Sequence, residues 1–140
     1  MDLKDYIRSI KDYPKKGILF RDITTLIKNE TAFEETINQI VERSKKFKVD
    51  KIAAIESRGF VFASAVSYIL KKPFIMLRKK NKLPADVHSV DFELEYGTAT
   101  IEVHKDSISK NDSILIIDDL IATGGTAEAA AKLIEISEGN

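Results

Sequence analysis

The chain has 140 residues, enough for one domain with a core of its own and too few for two. At 44% hydrophobic and 31% charged it is neither disordered, collagen-like nor low-complexity, and no apolar run approaches the roughly 20 residues that span a bilayer. Lys plus Arg and Asp plus Glu both number 22, so a net charge of zero gives no bulk attraction to nucleic acid or to an acidic membrane.

There is no cysteine, which excludes a disulfide framework, a Cys-based zinc site and a cysteine nucleophile. That composition fits a reducing compartment, and the first six residues lack the apolar core of a secretory signal, so a cytoplasmic protein is the expectation. Residues 3–10 carry apolar side chains at helical spacing, before Pro14 and Gly17 break the chain. A short apolar run, Ile18-Leu19-Phe20, ends in Arg21-Asp22. Residues 31–47 read as a helix, with Thr31 and Glu34 at the spacing of a capping box.

Residues 51–55 read as a buried strand, interrupted by Glu56-Ser57-Arg58-Gly59. A helix over 60–70 follows, ended by Pro73, and then a second buried strand over 74–77. Residues 78–82 form a dense basic loop, and the stretch from Pro84 to Val90 reads as a long connection. Residues 92–103 alternate enough for a hairpin around Gly97-Thr98. The clearest strand is 113–117; a loop over 118–125 and an Ala-rich helix over 126–136 complete the chain. Short apolar strands alternating with helices indicate an α/β fold with a central, mostly parallel sheet flanked by helices.

The chemistry concentrates at the end of the last strand. Asp118 and Asp119 stand where the strand stops, and Ala122-Thr123-Gly124-Gly125-Thr126 leads into the helix. In open α/β sheets ligands bind beyond the carboxyl ends of the strands. A helix N-terminus offers unpaired N–H groups to an anion, two glycines let the backbone approach it, and threonine hydroxyls add donors. The paired carboxylates suit a sugar diol or a water-held Mg²⁺. The segment is neither a Walker A loop nor a Gly-x-Gly-x-x-Gly turn; acids followed by Thr-Gly-Gly-Thr point to a ribose 5-phosphate.

This segment resembles the phosphoribosyl pyrophosphate signature of the type I phosphoribosyltransferases. Gly17-Ile18-Leu19-Phe20-Arg21-Asp22-Ile23, Glu56-Ser57-Arg58-Gly59-Phe60, Arg78-Lys79 with Lys82-Leu83-Pro84, and Leu94-Glu95-Tyr96-Gly97 narrow the resemblance to the adenine phosphoribosyltransferases. It covers essentially the whole chain, as a single domain over residues 1–140 with a small N-terminal hood and a flexible lid hairpin. It implies purine salvage: adenine and phosphoribosyl pyrophosphate, with Mg²⁺, give AMP and pyrophosphate.

Residue by residue, the resemblance implies that Asp118 and Asp119 hold the ribose hydroxyls and that Ala122, Thr123, Gly124, Gly125 and Thr126 cradle the 5-phosphate. Ser57, Arg58, Arg78, Lys79 and Lys82 take the pyrophosphate, Arg78 and Lys79 partly in a neighbouring subunit's site, since the resemblance implies a homodimer, and Lys82 begins the lid. Arg58 also belongs to the catalytic set. Glu95 manages the proton of the purine and Tyr96 shields the closed site. Leu19, Phe20 and Arg21 form the adenine hood, with Phe20 stacking on the base. Without that resemblance, 78–82 reads as a solvated basic face, Arg58 as a surface ion pair and Phe20 as a core residue. His88 and His104 lie 16 residues apart without ligand spacing and form no metal site.

Two departures stand out. Lys16 occupies a position where the family commonly has proline. The family also continues beyond the phosphate loop for longer than this chain, so the last helix is expected to lack a strand to return to, leaving an unpaired edge or an unburied apolar face. A rival reading is a non-catalytic sensor of phosphoribosyl pyrophosphate. Those sensors carry an added DNA-binding domain, whereas this chain retains Glu95-Tyr96 and the lid. A nearer rival is a transferase for another base, against which the hood and the Leu-Glu-Tyr-Gly segment argue.

Overall fold

The computed structural model describes residues 1–94, 97–121 and 124–140. Glu95, Tyr96, Ala122 and Thr123, four of the expected site residues, lie outside the described residues. The chain forms two compact units, Met1–Arg43 and Ser44–Asn140.

In the first unit a 3₁₀ turn over Leu3–Tyr6 precedes β1 (Arg8–Lys11), which pairs antiparallel with β2 (Leu19–Asp22). The helical spacing of 3–10 is therefore overridden. Asp2 caps only one turn, through its carboxylate and the Lys4 amide at 3.0 Å, and the chain then extends to pair with β2. Asp22 anchors this unit. Its carboxylate accepts the Thr24 hydroxyl at 2.7 Å, the Thr24 amide at 2.9 Å and Arg8 Nε at 3.1 Å. Those bonds, Thr24 first and Arg8 after it, hold its pKa down at about 2. A short α1 (Thr24–Ile27) leads to α2 (Glu30–Ser44). The expected Thr31 cap is corrected: the Ala32 amide donates to Asn29 Oδ1 at 2.9 Å, so Asn29 caps α2 and Thr31 lies inside it.

The second unit is built on a five-stranded sheet of order β5-β6-β4-β3-β7. Its strands are β3 (Lys51–Ile55), β4 (Phe74–Lys79), β5 (Val87–Leu94), β6 (Gly97–His104) and β7 (Ile114–Ile117). β3 runs parallel to both β4 and β7, and a β5–β6 hairpin joins antiparallel to the far end of β4. The sheet is thus mixed, with a parallel centre where helices cross over and an antiparallel flank where a hairpin needs no crossover. β5 begins at Val87, so the expected long connection is confined to the residues just after β4.

Helix α3 (Arg58–Leu70) buries Gly59, Phe62, Ala63 and Val66, the i, i+3, i+4, i+7 stripe of one face. Helix α4 (Gly125–Ile136) buries Ala129, Ala130, Leu133 and Ile134. The four α4 residues join Ala53, Ile55, Ile75, Leu77, Ile101 and Val103 in one hydrophobic cluster. The strand period of two turns Ile52 and Ala54 to the other face, so β3 is buried on both sides and reads as an unbroken apolar run.

Of the two expected consequences, the unburied face is not seen, since the apolar face of α4 is covered, while β7 stands at the edge of the sheet. The residues beyond α4 fold back along the start of β7: the Asn140 amide donates to Asp112 O at 2.8 Å, and the Ile114 amide to Asn140 O at 2.7 Å. The turn is tight enough that a Cβ on Gly139 would lie 2.9 Å from Ile134 Cγ2. No helix among the described residues is long and apolar enough to cross a membrane.

Candidate active site

Parallel pairing brings the carboxyl ends of β3 and β7 together. The register sets Ala54 beside Ile117, so Glu56-Ser57-Arg58 and Asp118-Asp119 leave the sheet side by side. A cleft of about 480 Å³ opens there. Ser57, Arg58, Lys79, Asp118, Asp119, Gly124, Gly125 and Thr126 all line it, as the sequence reading expected. Arg78 and Lys82, though described, do not. Arg78 Nε lies on Glu56 Oε1 at 3.3 Å, and Lys82 follows β4 in a turn closed by its amide on Lys79 O at 3.2 Å.

The Glu56–Ser57 peptide is cis. Arg58 Nε meets Asp119 Oδ2 at 3.0 Å, with the Asp119 side chain 8% exposed. Glu56 Oε1 also accepts the Lys79 amide at 2.7 Å. Glu102, buried in β6, holds the next turn: it accepts the Asn81 amide at 3.0 Å and the Ser89 hydroxyl at 2.7 Å. The basic segment is thus fastened by two carboxylates through its main chain.

Gly124 caps α4 at φ +88°, a left-handed conformation that glycine adopts without cost. Its carbonyl accepts the Glu128 amide at 2.9 Å, so the first turn of α4 starts at the cleft with its remaining amides unclaimed by the helix. Gly59 serves differently from the backbone freedom that its place in the motif suggests. It is helical, and a Cβ there would meet Asp118 Oδ1 and Ile117 O, each at 3.1 Å. Glycine is needed so that α3 can approach the acid pair.

Asp118 is half-buried. Burial first, and then its neighbour Asp119, raise its pKa from 3.8 to about 6. The Asp119 amide donates to Asp118 Oδ1 at 2.8 Å, which opposes the shift without cancelling it. Sequence reasoning missed four features of the cleft. Glu56 was read only as part of a motif, the clearance at Gly59 needs a long-range contact, and Leu120 and Ile121, 50% and 72% exposed, line the cleft as apolar residues. An apolar pair straight after two acids, beyond the end of the strand, is the one signal that could have found the last two.

The adenine-hood residues belong to the first unit. Leu19 is exposed on β2, Phe20 makes an edge contact with Tyr13 at 5.1 Å between ring centroids, and Arg21 bonds Ser9 Oγ. His104 Nε2 accepts the Ala85 amide at 3.2 Å, and His88 pairs with Val103 in the hairpin. Among the described residues no group of three or more His, Cys, Asp or Glu converges on a metal position.

The raised pKa of Asp118 has a signed consequence. The folded state binds this proton more tightly than the unfolded chain, so the stabilisation is complete below pH 3.8 and is lost as pH rises through about 6. Asp118→Asn removes the titration while keeping an acceptor for the Asp119 amide. Because the carboxylate is only half-buried, the variant should melt roughly 2–5 °C above the parent at pH 8, with the gap closing below pH 4. Thermal melts across that range test this; a gap that is absent or grows in acid refutes the assigned cause.

Comparison with known proteins accords with this geometry. Residues 22–139 match the phosphoribosyl transferase domain family. The chain is 86% identical over 137 residues to an adenine phosphoribosyltransferase of Pelagibacter ubique, an alignment covering 98% of this chain and 78% of that protein. The crystal structure of adenine phosphoribosyltransferase from Thermoanaerobacter pseudethanolicus superposes with a TM-score of 0.94 at 46% identity, covering 98% of this chain and 80% of that one. That of Saccharomyces cerevisiae, complexed with adenine and an imino-altritol bisphosphate, gives a TM-score of 0.92 at 35% identity, covering 99% and 81%. Taken with the acid pair and the glycine loop in one cleft, these matches show that the chain belongs to the adenine phosphoribosyltransferase family, the pentosyltransferases that make AMP and pyrophosphate from adenine and phosphoribosyl pyrophosphate.

Proposed function

We infer that the cleft of the second unit is the phosphoribosyl pyrophosphate site of this transferase and that its residues divide the work by charge. The observation that carries the reading is the convergence of Asp118, Asp119, Arg58, Lys79 and the Gly124-Gly125-Thr126 turn on one cleft at the carboxyl ends of parallel strands. The two carboxylates accept the ribose hydroxyls. The first-turn amides of α4, with the Thr126 hydroxyl and the loop residues Ala122 and Thr123, hold the 5-phosphate. Ser57, Arg58 and Lys79, with Arg78 and Lys82, hold the pyrophosphate, where a guanidinium matches two phosphate oxygens at once. Residues 1–140 act as a single phosphoribosyltransferase domain, a reading supported by the family match, which runs through both units.

Transfer substitutes adenine for pyrophosphate at the anomeric carbon, through a transition state in which the sugar carries positive charge. Holding the departing pyrophosphate on cations stabilises the charge it gains. Glu95 takes the proton that the purine loses, and Tyr96 excludes the water that would otherwise hydrolyse the activated sugar. Leu19, Phe20 and Arg21 hold adenine by stacking and main-chain bonds.

Two adjacent carboxylates and no third acidic or histidine ligand among the described residues fit a Mg²⁺ ion bound chiefly through substrate and water oxygens. Asp118 and Asp119 are the residues that would hold it, and when bound it neutralises phosphate charge. The reading is cytoplasmic, supported by the cysteine-free composition. It is also homodimeric, supported by the exposed stripe Val61, Tyr68 and Ile69 on the outer face of α3.

Three experiments test these assignments. Incubating the chain with adenine, phosphoribosyl pyrophosphate and Mg²⁺, with guanine and hypoxanthine competing, should yield AMP selectively. In that assay Asp118→Asn with Asp119→Asn should lose binding of phosphoribosyl pyrophosphate, while Glu95→Gln lowers kcat; tight binding by the double variant refutes the role of the acid pair. Gly59→Ala should raise KM for phosphoribosyl pyrophosphate by about tenfold while the chain stays folded, since one methyl pressed on Asp118 costs on the order of 1–3 kcal/mol; an unchanged KM contradicts the close approach. Sedimentation should show a dimer that Tyr68→Glu with Ile69→Glu converts to monomers, and a dimer that persists rules out that face.

A further inference from the structure

We propose that Glu56 is the positioning residue of the pyrophosphate end of the site: its carboxylate holds the carboxyl end of β4 so that Lys79 faces the cleft. The inference rests on the reading of Lys79 as a pyrophosphate contact.

The argument begins with the sheet ladder. The Glu56 amide donates to Leu77 O at 3.0 Å, the last main-chain bond from β3 to β4. In a parallel ladder, the residue making that donation would accept the Lys79 amide on its own carbonyl. Here β3 turns off into Ser57 and α3, and the rung is made by the side chain instead: Glu56 Oε1 takes the Lys79 amide at 2.7 Å. One carboxylate therefore extends the sheet by a rung beyond the point where the strand ends.

The same oxygen receives Arg78 Nε at 3.3 Å. A guanidinium has five donors, and engagement at Nε spares the two terminal amino groups, the fork that suits a phosphate. The Glu56 side chain is 13% exposed and Arg78 33%, so the pair is only partly wet and its geometry is defined. Arg78 and Lys79 are consecutive in a strand and point to opposite faces of the sheet. Fixing the backbone between them sets the direction of both cations.

An opposing effect makes the claim decidable. A carboxylate beside two cations also weakens their attraction for an anion. If Glu56 acted only through its charge, neutralising it would tighten pyrophosphate binding. If it acts by positioning, removing it weakens binding, because the end of β4 loses its rung and Lys79 its direction.

The test is calorimetric binding of inorganic pyrophosphate and, separately, ribose 5-phosphate to the full chain and to Glu56→Ala, Glu56→Gln and Lys79→Ala. Glu56→Ala should weaken pyrophosphate by about tenfold or more, the worth of a lost charge-assisted bond. It should raise KM for phosphoribosyl pyrophosphate by the same factor, and leave ribose 5-phosphate and KM for adenine within about twofold. Glu56→Gln, which keeps an acceptor for the Lys79 amide, should fall between parent and Ala and melt as the parent does. Tighter pyrophosphate binding in both Glu56 variants, or equal losses for both ligands, overturns the proposal. If Lys79→Ala weakens pyrophosphate and the Glu56 variants do not, the positioning role alone fails. Unchanged binding by Lys79→Ala refutes the underlying reading of Lys79 and the proposal with it.

Discussion

The register between β3 and β7 is the constraint on which the site depends. Ala54 opposite Ile117 brings two chain segments more than sixty positions apart to the same level of the sheet, so the loop bearing Arg58 and the acid pair emerge together. A slip of one residue would reverse which side chains face α4 and would part Arg58 from Asp119. Burial of β3 on both faces favours that register: Ile52, Ala53 and Ala54 are all fully enclosed. The hydrophobic core thus sets the geometry of a polar cleft that contributes nothing to it.

In the cleft and at its edge, opposite charges sit close together. Asp119 pairs with Arg58, Glu56 with Arg78, and Asp118 is held half-buried with a raised pKa. Such pairs add little stability when exposed, and their desolvation costs energy as they become buried. Their value is geometric. Arg58 and Arg78 are each held by a carboxylate, and each carboxylate limits how far its cation strays. The glycines complete the arrangement for two separate reasons: Gly124 supplies a left-handed turn ahead of α4, and Gly59 supplies clearance for Asp118.

The antiparallel hairpin plays a different part. β6 pairs with β4 only at Arg78 and Lys79, and Glu102 in β6 accepts the amide of Asn81 just beyond. The basic segment therefore lies between Glu56 on one side and the hairpin on the other. Main-chain donors are consumed in holding it, and the Lys79 ammonium is left toward the cleft. Attachment through the backbone lets a run of like charges persist at the end of a strand.

Much of this was legible in the residues alone. The strand–acid–glycine–helix order from Ile114 to Ile136 was legible, because both the run of apolar residues and the turn chemistry are local. So were β3, β4, α3 and α4, whose apolar periods are strong. Tertiary structure decided what depends on distant partners. Residues 3–10 carry helical spacing but extend to pair with β2; Asn29 rather than Thr31 caps α2; and α4 buries its apolar face with Gly139 and Asn140 folded against the start of β7. It likewise decided that Arg78 turns to Glu56 while Lys79 turns to the cleft, and that Gly59 is needed for the room it leaves beside Asp118. The sequence by itself determined the chemistry available, since residue types and short-range spacing carry it. Which groups meet was settled only by strand register and helix approach, which arise from burial across the whole sheet.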